Sequence, residues 1–198
     1  MNKIEHDVQL SKKLSYLLRH GAVKEGLQIC PEGFVAVNDI LDKVGFHRFT
    51  VEDVQRVVAE NSKNRFTLKK LNDTLLIKAN QGHSLSQVNN LNLKLVENPE
   101  YEIIHGTYFS CWGKIKNKGL SRMNRNHIHF SKGLNFTAGL RRSAQIYITV
   151  DFSKAWQDGL KFYESENGVI LCPGNFNGIL ERKYFLKVSS SDGRKLFL

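Results

Sequence analysis

The chain has 198 residues and is 41% hydrophobic, so it can bury a substantial core in one large domain or two small ones. Its formal net charge of +10 divides into +2 over residues 1–100 (14 Lys and Arg against 12 Asp and Glu) and +8 over residues 101–198 (15 against 7). This charge favours a polyanionic partner about as well as it favours a merely solubilising surface, and no apolar run reaches the roughly 18 residues of a membrane span.

The first half of the chain predicts three helices followed by a β-hairpin. Gly21 is expected to end the first helix, a second helix is predicted over residues 38–44, and a third begins at Thr50 with a capping box. Strands are predicted in RFTL (65–68) and TLLIKA (74–79). The first helix has leucines at amphipathic spacing: Leu10, Leu14, Leu17 and Leu18. This order of elements is that of a winged helix.

The second half predicts an α+β domain with more strand than helix, and we place the domain boundary near residue 95. A helix is predicted over YFSCWGKIKNKGL, ending at Gly119, and another helical segment around LNFTAGLRRS (134–143). The strand predictions are YEIIHGT, HIHFS, QIYITVD, GVILC and KYFLKVS.

Arg19 and His20 lie at the end of the first predicted helix. Cations there complement the helix dipole, which contributes about 0.3–1 kcal/mol each. Alternatively, a guanidinium and an imidazole at a helix end can grip a phosphate and steer a proton. The two residues alone leave both interpretations open.

Three further arginines have ordinary interpretations as surface residues. Arg65 begins a predicted strand, and Arg141 and Arg142 are predicted at a helix end before the apolar QIYITV. Each is weak evidence of a site when considered alone.

A second group of candidates surrounds His105, Gly106 and Thr107. Thr107 is expected to cap the following helix, an interpretation that leaves His105 unexplained. His127 and His129 are two residues apart and would share one face of a strand. No cysteine or carboxylate at a matching spacing completes a zinc site, so we expect no metal.

The common catalytic signatures are missing from the sequence. It contains no GxxxxGK[ST], GxGxxG, GxSxG or HExxH, and the carboxylates of the basic half are few. If the protein is an enzyme, we therefore expect its chemistry to depend on arginine, histidine and a bound anionic cofactor. Three widely spaced cysteines and the absence of an apolar leader in MNKIEHDVQ favour a reducing compartment, the cytoplasm or nucleus.

Taken together, the motifs resemble the RNA 2′-phosphotransferases, NAD-dependent enzymes that finish tRNA splicing. The resemblance covers roughly residues 8–189 and rests on the order and spacing of short motifs. These are LSYLLRHGA (14–22), NRFTL (64–68), ANQGHS (79–84), HGT (105–107), RNHIHFS (125–131) and GLRRSAQIYITVD (139–151).

The resemblance implies two lobes: a winged-helix RNA-binding lobe over residues 1–95 and an ADP-ribosyltransferase-like NAD-binding lobe over residues 96–198. It implies transfer of the internal 2′-phosphate of ligated tRNA to NAD, which is consumed, with release of nicotinamide and an ADP-ribose cyclic phosphate. We expect a monomer. The catalytic residues implied by the matching motifs are Arg19, His20, Arg65 and Arg141, with Arg142 as the competitor for the last place. The implied NAD pocket is formed by His105, Gly106, Thr107, His129 and Ser131.

Two other functions remain open at this point. A winged-helix nucleic-acid-binding module with an inactive partner domain would bind RNA or DNA without NAD. An enzyme that transfers ADP-ribose to nucleic-acid or protein ends would differ only in its acceptor. Protein-modifying relatives use a late glutamate, and Glu164, Glu166 and Glu181 are unproven candidates for it.

Overall fold

The computed structural model describes residues 2–196, which form an α+β protein of two compact units. The first unit ends at Asn92 and the second begins at Leu93. No helix in the described part of the chain is long and apolar enough to cross a membrane.

The first unit opens with helix α1 (Lys3–Tyr16), which runs directly into a π-helical turn over Leu17–Gly21. A capping box between Asn2 and Glu5 begins α1. The π-helical turn was not predicted, and Gly21 does not adopt the left-handed conformation of a typical stop. A Cβ at Gly21 would lie 3.0 Å from the Tyr16 ring, so the small residue allows that ring to pack closely.

The remaining elements of the first unit are β1 (Val35–Ala36), α2 (Val37–Leu41), α3 (Val51–Ala59), β2 (Phe66–Leu71) and β3 (Thr74–Ala79). The two helices and the hairpin agree in order with the prediction, although α2 ends three residues earlier than predicted, and β1 was not predicted. The predicted capping box of α3 is present, since Thr50 and Asp53 exchange side-chain to backbone hydrogen bonds.

The three strands of this unit form an antiparallel sheet in the order β1-β3-β2. The β2–β3 turn is formed by Asn72 and Asp73, both at positive φ, as a two-residue hairpin turn requires. Arg56 of α3 binds the carboxylates of Asp7 (2.7 Å) and Asp53 (2.5 Å), and so ties α1 to α3. A core of leucine, valine and phenylalanine side chains lies beneath these elements.

The second unit is built on an antiparallel seven-stranded sheet in the order β12-β8-β5-β7-β10-β9-β4. Its strands are β4 (Lys94–Leu95), β5 (Ile103–Thr107), β7 (Ile128–Lys132), β8 (Ile146–Val150), β9 (Tyr163–Glu164), β10 (Ile170–Cys172) and β12 (Phe185–Ser190). A separate two-stranded sheet pairs β6 (Leu120–Ser121) with β11 (Ile179–Leu180). The helices are α4 (Phe109–Lys118), α5 (Phe152–Gln157) and a 3-10 turn over Arg182–Tyr184.

The prediction of a helix around residues 134–143 was wrong, because this segment forms turns and bends. Gly139 has φ +88°, and a Cβ there would lie 2.6 Å from the carbonyl oxygen of Phe130, so the segment packs with its backbone against β7. Arg141 and Arg142 therefore lie in a loop and not at a helix end. Helix α5, capped by the Asp151 side chain, was missed.

Candidate functional site

Arg19 and His20 project from the π-helical turn of the first unit, and Ser84 holds both. The Ser84 N–H donates to the Arg19 carbonyl oxygen at 2.9 Å, and its Oγ lies 2.9 Å from His20 Nδ1. π-Helical turns are rare and occur frequently at functional sites. The orientation of this helix end is thus fixed by a residue from a distant part of the sequence.

Gly82 shapes the surroundings of the Arg19 side chain. It has φ +93°, and a Cβ there would lie 3.1 Å from Arg19 Nε. A side chain at this position would press on the guanidinium stem, so glycine leaves room for the arginine against the backbone. The ANQGHS motif therefore supports Arg19 and His20, a role that the sequence interpretation did not assign.

Arg65 immediately precedes β2 in the same unit. Its Nη1 donates to Asn61 Oδ1 at 3.1 Å, and its carbonyl oxygen accepts from the Asn80 N–H at 2.9 Å. Burial lowers the pKa of the Arg65 guanidinium, which nonetheless stays charged near neutral pH. Asn80 and Ser84 are four residues apart, so one short segment contacts Arg65 at one end and Arg19 and His20 at the other.

A groove of about 540 Å³ adjoins Arg65. It runs between α1 and the 57–65 segment, and its lining combines apolar, hydroxyl and charged side chains. The lining includes Arg65 together with Asp7 and Glu60 but neither Arg19 nor His20, so of the three predicted phosphate ligands in this unit only Arg65 adjoins the groove. We call Arg19, His20, Arg65 and Ser84 the Arg19 cluster.

The second unit holds a separate cationic cluster around Arg141. The Arg141 guanidinium carbon lies 6.0 Å from the centroid of the Tyr108 ring, within cation–π range. Tyr108 Oη and Ser143 Oγ share a hydrogen bond of 2.9 Å, which ties the ring to the loop that carries the arginine. Hydrogen bonds from Ser143 and Arg141 lower the pKa of Tyr108.

Gly106 explains how this loop approaches β5. A Cβ at Gly106 would lie 2.7 Å from Leu140 Cδ2 and 2.9 Å from Ala144 Cβ. Only the missing side chain permits the 140–144 loop to pack there, which brings Arg141 close to His105. The glycine of the HGT motif is thus a packing requirement of the cluster.

His105 is held in one tautomer. Its Nδ1 lies 2.9 Å from the carbonyl oxygen of His129, which can only accept, so Nδ1 carries the proton. Burial lowers the pKa of His105, and the charge of Arg141 lowers it further. The imidazole is therefore neutral at physiological pH.

Arg125 also belongs to this cluster, although the sequence interpretation passed over it. Burial lowers the pKa of its guanidinium, and repulsion by Arg141 lowers it further. A polyanion close to both of these guanidinium groups would offset their mutual repulsion. Arg125 is the first residue of the RNHIHFS motif, so it could have been recognised as a candidate from the sequence.

Other predicted residues have different surroundings. Thr107 is buried, and its side chain does not cap α4, so the capping prediction was wrong. The N–H of Phe109, at the start of α4, instead donates to Gln145 Oε1 at 3.1 Å. Ser131 is fully buried, and its hydroxyl donates to the Ala138 carbonyl oxygen at 3.0 Å. Arg142 is exposed. We call His105, Tyr108, Arg125 and Arg141 the Arg141 cluster.

Both clusters combine arginine with histidine, and both suit phosphate-bearing ligands. Such clusters are typical of the class of proteins that bind phosphate groups. The model of the RNA 2′-phosphotransferase, Tpt1 / KptA family matches residues 5–174. The chain belongs to this family, and it is an RNA 2′-phosphotransferase.

Named relatives extend over most of the chain. It is 48% identical over 194 residues to tRNA 2′-phosphotransferase 1 of Danio rerio, covering 93% of this chain and 86% of the relative. It is 47% identical over 191 residues to tRNA 2′-phosphotransferase 1 of Homo sapiens, covering 91% and 75%. It is 40% identical over 185 residues to the tRNA 2′-phosphotransferase of Saccharomyces cerevisiae, covering 86% and 80%.

Proposed function

We propose that this enzyme removes the internal splice-junction 2′-phosphate of ligated tRNA and transfers it to NAD, which is consumed. The first unit serves as a winged-helix RNA-binding lobe and the second as an ADP-ribosyltransferase-like lobe that binds NAD. The order of three helices before a three-stranded antiparallel sheet supports the first assignment. Three free cysteines fit a reducing compartment, the cytoplasm or nucleus.

The observation that carries the proposal is the anchoring of Arg19 and His20 by Ser84. A guanidinium grips phosphate oxygens with two parallel hydrogen bonds, and it does so best when its backbone is fixed beforehand. We assign the RNA 2′-phosphate to Arg19, His20 and Arg65. Because His20 Nδ1 is engaged by Ser84, we assign its contact with the phosphate to Nε2.

The residues of the Arg141 cluster fit NAD. The guanidinium group of Arg125 suits its pyrophosphate, and neutral His105 adds a polar group without further positive charge. We assign NAD binding to His105, Gly106, Thr107, His129 and Ser131. The backbone of Thr107 and the buried hydroxyl of Ser131 would act by holding the pocket walls, because Ser131 already donates to Ala138.

NAD supplies the ADP-ribosyl group that accepts the phosphate. The chain supplies alignment and positive charge, since a 2′-phosphate is already nucleophilic and needs no general base. Arg141 is assigned to the phosphoryl oxygens during transfer, where arginine stabilises accumulating negative charge. Glu164, one of the candidate catalytic glutamates of a protein-modifying enzyme, forms an ion pair with Lys132 at 2.5 Å. This ion pair agrees with a mechanism in which no glutamate serves as a general base.

The test is turnover of a defined substrate. Purified protein, NAD and an RNA with a single internal 2′-phosphate should release nicotinamide and dephosphorylated RNA in equal amounts. Release of neither product would overturn the proposal. Retention of ADP-ribose on the RNA would instead identify an ADP-ribosyltransferase of nucleic-acid ends.

A further inference from the structure

A loop of the second unit holds an aromatic side chain entirely in solvent. Phe176, in the segment 174–178 between β10 and β11, is 101% exposed. Asn175 orders this loop: its Oδ1 accepts from the N–H groups of Asn177 (3.0 Å) and Ile179 (3.1 Å), and its carbonyl oxygen accepts from the Gly178 N–H (2.8 Å). The exposed ring is therefore displayed on a well-bonded loop.

A second apolar side chain is displayed on the adjoining loop. Met123 is 78% exposed and has φ +53°, a left-handed conformation that is uncommon for a residue other than glycine. Its N–H is bonded to Ser121 Oγ at 3.0 Å. Backbone strain of this kind persists only where surrounding contacts impose it, and it is concentrated at functional sites.

The two loops are joined through Arg122. Ser121 pairs with Ile179 in the two-stranded sheet, and the Arg122 N–H donates to the Gly178 carbonyl oxygen at 2.9 Å. Gly178 has φ +71°, and a Cβ there would lie 2.4 Å from Arg122 Nε, so the arginine side chain lies against the Phe176 loop. We call Arg122, Met123 and Phe176 the Phe176 surface.

One hydrogen bond links the Phe176 surface to the Arg141 cluster. Arg122 Nη1 donates to the Arg125 carbonyl oxygen at 3.0 Å, and the charge of Arg141 lowers the pKa of Arg125. The sequence from residue 101 onwards has a net charge of +8, which favours a polyanionic ligand over an apolar protein segment.

We propose that the Phe176 surface binds a single-stranded nucleotide of the RNA substrate outside the reacting 2′-phosphate. Phe176 stacks on the base, Met123 adds apolar contact, and Arg122 contacts a backbone phosphate. Exposed aromatic rings beside cations are the usual means by which proteins bind single-stranded RNA without reading its sequence. This inference rests on the proposed function, because it assumes an RNA substrate.

The test is direct binding of RNA to the full chain in the absence of NAD. A dye-labelled single-stranded oligonucleotide with one internal 2′-phosphate is titrated and followed by fluorescence anisotropy. F176A should weaken binding by about tenfold, whereas F176W should retain it, since stacking depends on an aromatic face. Because Phe176 is fully exposed, circular dichroism of F176A should match the wild type.

A matched control is L186A, which removes another exposed apolar side chain of the same unit, 60% exposed on β12. It should bind RNA like the wild type. The inference is overturned if F176A binds RNA with wild-type affinity or if L186A weakens binding equally. Absence of turnover in the wild type would overturn the proposed function. The anisotropy measurement would still test whether the Phe176 surface binds RNA.

Discussion

The N–H of Ser84 donates a 2.9 Å hydrogen bond to the carbonyl oxygen of Arg19, across 65 positions of sequence. The bond fixes the end of a helix from outside that helix. It makes Ser84 a positioning residue for the Arg19–His20 pair, and not a residue that needs to touch substrate. A side-chain substitution of Ser84 keeps this backbone bond and removes only the contact of its Oγ with His20 Nδ1, so it should affect catalysis more than folding.

S84A should lower kcat by up to about tenfold and change the KM for RNA less, because one hydrogen bond that orients His20 is lost. Steady-state kinetics on a 2′-phosphorylated RNA would measure this. S86A, at an exposed position two residues further on, is the control and should behave as the wild type. Equal kinetics for S84A and S86A would refute the positioning role.

G82A should reduce both stability and activity. A non-glycine residue at φ +93° costs about 1–2 kcal/mol, and the added Cβ would also press on Arg19. The control is G26A, at φ +68° with no atom within 4 Å of the added Cβ. Both variants should unfold at lower urea concentration, but only G82A should lose activity, by about tenfold or more. An equally inactive G26A would show that backbone strain alone is responsible.

R141A should lower kcat by about 100-fold or more while R142A stays within a few-fold of the wild type, since Arg141 is the residue whose charge acts on His105 and Arg125. Circular dichroism should show both variants folded. The opposite ranking would assign the role to Arg142.

Stability should fall as the pH is lowered below about 6.5, the ordinary pKa of histidine. Burial and Arg141 lower the pKa of His105 in the folded protein, so between the folded and unfolded pKa values the unfolded chain binds more protons. Stability therefore rises with pH in that window. Burial also lowers the pKa of His127, which adds to the rise in stability with pH.

H105N should flatten this pH dependence, because an asparagine amide can still donate to the His129 carbonyl but does not titrate. Urea unfolding from about pH 7.5 to about pH 5.5 would measure the change, taken as a slope so that any uniform loss of stability cancels. H47N, at an exposed position, is the control and should keep the wild-type slope. An unchanged slope in H105N would show that His105 is not a source of the pH dependence of stability.

Local sequence patterns predicted the elements whose cause is local. The leucine spacing of α1, the Thr50 capping box, and Gly119 at the end of α4 all depend on neighbours within a few residues. The segment 134–143 failed because its conformation depends on contact between Gly139 and Phe130, which no helical period reveals.

The site residues also differ in whether their roles depend on local sequence or on contacts between distant parts of the chain. Arg19, His20, Arg65 and Arg141 were reached only through several motifs taken together, and their roles stay predictions. Ser84 was quoted within a motif, but its function depends on a bond to Arg19 that sequence separation conceals. Arg125 was missed because an arginine is informative only when another positive charge is known to lie beside it.

The π-helical turn at Leu17–Gly21 has a further consequence for how this protein can evolve. Its N–H of Ala22 bonds to the carbonyl oxygen of Leu17 five residues back, one more than in an α-helix. Deleting one residue there would restore an α-helix, yet it would rotate Arg19 and His20 by about 100° relative to the rest of α1. A change of length at this turn would therefore displace both proposed phosphate-binding side chains even where the chain still folds.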